Sequence, residues 1–247
     1  MNITNICLIG LSNSGKTTLL NKIIGKDILP SGKTHVNFYV ENTFDEKAIN
    51  LNLDNYNDND PRDIINIKTP IVGLYEANKI TTKFYDTVCL ELEKSNNGRI
   101  VQDICMNCDF ILYVLNFKDI IRKQIFRHYE ILSKNNKKVV LVITHIDKLA
   151  HNPLFDNKEK VRKYVFEKYK ENNIKLNLCE IIPINLLDNL KDNFYEILNI
   201  VNKTKRDVEN IVLRKKVKEL DDIRDAENFS NFLGAGISII SSIFKSS

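Results

Sequence analysis

An α/β fold of three layers, with helices on both faces of a mostly parallel sheet, follows from three observations in the 247-residue sequence. Apolar runs of strand length recur at 3–9, 109–117, 139–144 and 179–184. Stretches of helical spacing lie between them. A glycine-bounded, lysine-bearing loop joins the first run to the first helix. Runs that are apolar throughout suit strands buried on both faces, and alternation of strands with helices is the mark of parallel pairing. The chain is long enough to bury one full core and carry an appendage.

The joining loop, Gly10 to Thr17, reads G-L-S-N-S-G-K-T. Strand, loop, lysine, hydroxyl and helix in that order are the phosphate-binding loop of a P-loop NTPase. Gly10 lets the backbone leave the strand in a tight turn. The N–H groups of Asn13, Ser14, Gly15 and Lys16 can then converge on phosphate oxygens, and Gly15 permits close approach. Lys16 reaches the β- and γ-phosphates, the Thr17 hydroxyl is placed to ligate Mg²⁺, and Thr18 completes the binding set.

The helix over 16–25 gives way to a turn at 29–32 and a β-rich run at 35–40. Residues 42–66 are crowded with Asn and Asp and read as a polar insertion of little core potential. Ile71 to Glu76, a turn near Ala77-Asn78, and Ile80 to Asp86 read as a β-hairpin, the one antiparallel edge of the sheet. Helices follow at about 95–107, at 119–134 (Ile120, Ile121, Ile125, Tyr129 and Leu132 at helical spacing), at 157–172 (Val161, Tyr164, Val165 and Tyr169 on one face) and at about 190–202. The domain expected is 1–203, with an amphipathic helical tail over 204–247. That tail could pack on the domain, pair with a second chain or form a stalk.

Apolar and charged fractions of 43% and 28% are those of an ordinary globular protein. A net charge of +4 is too mild for a strong nucleic-acid footprint, so nucleic acid is not among the expected partners. Five cysteines at irregular spacing point to reduced thiols and a cytoplasmic setting. Cys105-Met-Asn-Cys108 is a CxxC without a second pair, which reads as core packing ahead of a zinc or redox site. No apolar run reaches the ~18–20 residues that span a bilayer. The stretch 229–244 is nonetheless apolar and uncharged, and suits either a membrane interface or docking on this chain or a partner helix.

The base is read elsewhere. The strand at 139–144 runs into Thr144-His145-Ile146-Asp147. A carboxylate there can accept from both N1–H and the exocyclic amine of guanine, a donor pair adenine lacks. The same Asp147 could instead cap a helix.

With these residues in view, the chain over 3–203 resembles the translation-factor-related GTPase class, nearest to Era-like and dynamin-like G domains. Phe84-Tyr85-Asp86-Thr87-Val88-Cys89 resembles the family's D-T-P-G, Thr144 to Asp147 its N/T-K-x-D, and Asn185 occupies the place of its Ser-Ala loop. The resemblance implies GTP or GDP with Mg²⁺, Asp86 holding the metal through a water, the amide of Cys89 touching the γ-phosphate, Asp147 reading guanine, His145 covering the base and Asn185 backing it. It also implies a phosphate-sensing threonine from a mobile loop. Thr34 and Thr69 both stand at suitable distances, and Thr69 is preferred because it precedes the expected hairpin. Val88 and Cys89 replace proline and glycine, and His145 replaces lysine. Cysteine lacks glycine's freedom to flip, so binding is a firmer expectation than rapid hydrolysis. The readings open at this stage are a slow or partner-stimulated GTPase switch, a pseudo-enzyme scaffold that binds GTP or GDP, and an ATPase. A nucleotide-dependent dimer and peripheral membrane association belong to the first.

Overall fold

A computed structural model describes residues 3–30, 37–42, 64–69, 71, 81–87, 96–134, 138–149, 152–177, 180–187, 196, 197 and 199. All but the last of these belong to the first of two units into which the chain divides, Met1–Leu198 and Asn199–Ser247. Among the described residues seven strands form one sheet: β1 (Ile3–Ile9), β2 (Asn37–Asn42), β3 (Ile64–Thr69), β4 (Thr81–Asp86), β5 (Phe110–Asn116), β6 (Lys138–Thr144) and β7 (Ile181–Pro183). Their spatial order is β3-β2-β4-β1-β5-β6-β7. The helices are α1 (Lys16–Ile24), α2 (Asn96–Asn107), α3 (Lys123–Lys134) and α4 (Lys158–Glu171).

Each strand's pattern explains its place. β5 is buried along its whole length and β6 along all but its first residue, as interior strands between two helix layers must be. One face carries Cys7 and Ile9 of β1, Ile111, Tyr113 and Leu115 of β5, and Val139, Leu141 and Ile143 of β6. Val101 and Ile104 of α2, Ile125 and Tyr129 of α3, and Val161, Val165 and Tyr169 of α4 close over it as one cluster. The alternate residues Ile6, Leu8, Leu112, Val114, Val140 and Val142 point the other way and are equally buried. α1 packs beside β4 with Leu19, Leu20, Ile23 and Ile24 buried. This is the three-layer, mostly parallel architecture expected.

The antiparallel edge is built differently from the expectation. β4 lies between β1 and β2, so its antiparallel partner is Asn37–Asn42 and not 71–76. β3 then adds outside β2, parallel to it. The strand β3 begins at Ile64, inside the stretch read as a polar insertion. Its partner lies more than twenty residues upstream, and no local pattern announces such a pairing. The expected turn near 77–78, most of the 190–202 helix and the tail lie outside the described residues, although Glu196, Ile197 and Asn199 are helical.

The CxxC is core packing. Cys7, Cys105 and Cys108 are buried free thiols, and Cys7 Sγ lies 3.8 Å from Cys105 Sγ. Burial pushes the Cys7 thiol well above its ordinary pKa. Among the described residues no group of three or more His, Cys, Asp or Glu could hold a metal. None of the described helices is long and apolar enough to cross a membrane.

Candidate nucleotide site

The site forms where β1 ends and α1 begins. A Cβ on Gly10 would sit 2.1 Å from the Val114 carbonyl oxygen, so only glycine lets the loop leave the sheet against β5. Asn13 takes a left-handed conformation, φ 58, which Asn tolerates better than most non-glycine residues. Gly15, φ 91, is the residue ahead of α1, and a Cβ there would meet Leu186 Cδ1 at 2.7 Å. No side chain caps α1 and its first turn holds no acidic residue. Its leading N–H groups therefore present a positive end suited to an anion.

Lys16 lies back across the loop. Its Nζ donates to the carbonyl oxygens of Gly10 (3.2 Å) and Leu11 (3.1 Å), which fixes the ammonium over the cradle. The Thr17 hydroxyl donates to Asp86 Oδ2 at 2.6 Å. Register delivers that contact: Asp86 ends β4 opposite Leu8 of β1. Thr87 locks the same corner, since both its N–H and its Oγ1 donate to the Leu8 carbonyl (3.3 and 2.9 Å). Asp86 is 2% exposed, and burial raises its pKa to about 6 against the opposing pull of Lys16 and the Thr17 hydroxyl. Its Oδ1 is buried without a hydrogen-bond partner among the described residues. A buried carboxylate oxygen with spare capacity, beside a threonine oxygen and a lysine, is a donor set that fits hydrated Mg²⁺ among phosphates.

The end of β6 comes to the same loop. Thr144 Oγ1 lies 2.7 Å from the Ser14 carbonyl oxygen, 3.2 Å from that of Leu115 and 2.9 Å from His145 Nδ1. His145 has φ 59, the left-handed region. Its pKa is lowered by burial first, then by Lys148 and Lys118, against Asp147 and Asp119. Asp147 is the second residue of a short 3-10 turn over Ile146–Leu149, within it and not ahead of it as a cap. Asn185 follows β7, and its Oδ1 accepts from the Leu187 N–H at 3.0 Å.

Of the expected site residues, Ser14, Gly15, Lys16, Thr17, Asp86, Thr144 and His145 meet in one place, with Asn13 and Thr18 on the same loop and helix. Asp147 and Asn185 lie on the loops that leave β6 and β7. Cys89 and Thr34 lie outside the described residues. Thr69 is elsewhere: Asp86 pairs with Phe38 and Phe38 with Ile65, while Thr69 pairs with Asn42. Because β2 and β3 run against β4, Thr69 is four residues beyond the site end of β3, about 13 Å along the strand. It is fully buried there. Sequence reasoning missed Leu186, Thr87 and the Thr144–Ser14 contact. Gly15 signalled a close approach, but by phosphate and not by Leu186.

A P-loop with a buried carboxylate against its threonine, on a mostly parallel sheet, has the architecture of a G domain. A family model described as 50S ribosome-binding GTPase matches residues 5–145, more than half of the chain, and the chain belongs to that family. The family is described as one of GTPases. Among solved structures the fold is similar to Aquifex aeolicus Era bound to GDP·AlF4⁻, at 20% identity and a TM-score of 0.52, over 81% of this chain and 57% of that one. It is similar to the same extent to Era in complex with MgGDPNP and nucleotides 1506–1542 of 16S ribosomal RNA, at 21% identity. A member of an oligomerised bacterial dynamin pair matches with a TM-score of 0.58 at 16% identity, over 81% of this chain and 45% of that one. The chain thus spans little more than half the length of the Era structures. No curated protein matches it in sequence.

Proposed function

We propose that this chain is a Mg²⁺-dependent GTPase that switches conformation with its nucleotide, turns over slowly unless assisted, and associates with a membrane surface or a partner helix through residues 229–247. The observation that supports this best is the Thr17–Asp86 contact of 2.6 Å beside Lys16, with Asp86 Oδ1 buried and without a hydrogen-bond partner among the described residues. Thr17 and Asp86 would hold the metal, which when bound neutralises phosphate charge. Lys16 stabilises the charge that develops on the β- and γ-phosphates, and the amides of residues 13–16, with Thr18, orient the chain of phosphates. Asp147 accepts from guanine, His145 and Asn185 flank the base, and the amide of Cys89 meets the γ-phosphate.

The phosphate-sensing threonine is Thr34 in this reading. β2 starts at the site end of the sheet, with Phe38 beside Asp86. Thr34 is three residues before Asn37, a span of at most ~11 Å. Thr69 is at the other end.

Val88 and Cys89 favour slow chemistry and support a second reading, a pseudo-GTPase that binds nucleotide and acts by scaffolding. Unassisted P-loop GTPases can be as slow as ~10⁻⁴ s⁻¹. The purified full chain, assayed for co-purified nucleotide and for Mg²⁺-dependent GTP turnover with a Lys16→Ala control, separates the two. Turnover above the control supports the enzyme. Bound GDP with turnover equal to the control leaves the scaffold. Equal competition by ATP removes both. Nucleic acid is not among the proposed partners, given the mild charge, and a nucleotide-dependent dimer is. The family's description names the 50S ribosome, so co-sedimentation with ribosomes at physiological salt is the result that would overturn the exclusion.

A further inference from the structure

We propose that His145 is a positioning residue for the phosphate loop, held as its Nδ1–H tautomer and acting as a hydrogen-bond donor to Thr144. The inference rests on the guanine-nucleotide reading for its consequence, but not for its geometry.

The argument is a count of protons. Thr144 Oγ1 has three neighbours within hydrogen-bond distance: the Ser14 carbonyl at 2.7 Å, the Leu115 carbonyl at 3.2 Å and His145 Nδ1 at 2.9 Å. The hydroxyl owns one proton, and the two carbonyls only accept. Were that proton given to the imidazole, two carbonyl oxygens would face a hydroxyl oxygen with no hydrogen between them, the nearer at 2.7 Å. The proton therefore goes to Ser14, the shortest contact. The third contact then needs a hydrogen from the ring, so Nδ1 carries it. A histidine side chain in water favours the Nε2–H form, so the protein selects the less common tautomer here.

The surroundings agree. His145 faces Asp147 and Lys148 on its own 3-10 turn, and Lys118 and Asp119 from the loop that follows β5. Burial and the two lysines outweigh the two carboxylates and keep the ring neutral in the physiological range. A position where the family has lysine thus holds an uncharged donor. Protonation at Nε2 leaves Nδ1–H in place, so the link to Thr144 is the same in both charge states. The φ of 59 at His145 belongs to a region that non-glycine residues occupy rarely, usually with local hydrogen bonding in support.

The consequence is a chain of donors from His145 to Thr144 to the Ser14 carbonyl. Thr144 also lies against Gly15, where an added Cβ would have Thr144 Oγ1 at 3.8 Å. Without the Nδ1–H donor the hydroxyl is free to swing between Ser14 and Leu115. The loop amides of 14–17 then lose an anchor that links them to the base-reading loop.

Nitrogen-15 NMR of the full chain at pH 8, without nucleotide, reads the tautomer directly. A pyrrole-type Nδ1 and a pyridine-type Nε2 at His145 are expected, reverting to the Nε2–H pattern in Thr144→Val. A wild-type Nε2–H ring overturns the proposal. GDP affinity then tests the role. All three variants lose the ring that flanks the base, but His145→Asn places a donor near Nδ1 and should bind GDP about fivefold more tightly than His145→Gln and His145→Ala, a difference of one ordinary hydrogen bond. Equal loss in the Asn and Gln variants overturns it. If the wild-type chain binds no GDP while the tautomer is as stated, the guanine reading has failed and the tautomer assignment has not.

Discussion

Gly15 shows how closely single residues constrain the cradle. Its φ of 91 is strained for any L side chain, and its missing Cβ leaves room for Leu186 from the loop after β7. Gly15→Ala should lower stability by roughly 1–3 kcal/mol and abolish nucleotide binding. Leu186→Ala in the same chain removes the contact but not the backbone strain. The double variant should therefore recover less than half of the loss in thermal melts, and full recovery would show that contact and not φ is the constraint. Asp86 makes a second prediction. Its carboxyl has a raised pKa of about 6 in the fold, so between the ordinary carboxylate value and 6 the folded chain holds a proton that the unfolded chain releases. Its contribution is therefore favourable at low pH and is lost as pH rises through 6. In metal-free, nucleotide-free protein Asp86→Asn should raise stability at pH 8 by on the order of 2–3 kcal/mol, with a gap that narrows toward pH 5. A gap independent of pH would sink this account. The same variant should lose Mg²⁺-dependent turnover.

Among the elements, α4 depends on one arginine. Arg162 Nε donates to the Ile181 carbonyl of β7 at 2.8 Å, Nη1 pairs with Glu159 at 2.8 Å and Nη2 with Glu196 at 2.6 Å. Three directions from one rigid fork tie the helix to the edge strand and to the segment that follows it. Arg162→Ala should cost about 1–3 kcal/mol in urea denaturation, and Arg162→Lys should restore little of it, because an ammonium cannot reach all three. Full rescue by lysine would mean that charge alone matters. Element-scale reasoning also explains the fate of Thr69. Helices and interior strands were legible because α2, α3 and α4 each show 3.6-residue spacing and β5 and β6 are apolar throughout. The edge was not legible. β2 and 71–76 are both β-prone, and nothing in either states which will lie beside β4.

For the molecule as a whole, the proposal reaches beyond the G domain to residues 229–247. The domain is shared with Era and bacterial dynamin structures more than one and a half times its matched length. If residues 229–247 carry an interfacial contact, deleting them should abolish co-sedimentation with anionic liposomes and leave GTP turnover in solution within about twofold, since several buried Ile and Phe would supply ~1.5–3 kcal/mol each. Unchanged co-sedimentation removes the membrane from the proposal. By itself the sequence determined the phosphate loop, the interior strands and the helices that cover them. These are local patterns, set by backbone period and by residues within one turn or loop. Only the tertiary structure decided that β2 pairs with β4, that Thr69 lies at the far end of the sheet, and that the Thr144 hydroxyl reaches the Ser14 carbonyl. Direction and register between segments tens of residues apart arise from the competition of whole strands for neighbours, and no single strand's residues encode its outcome.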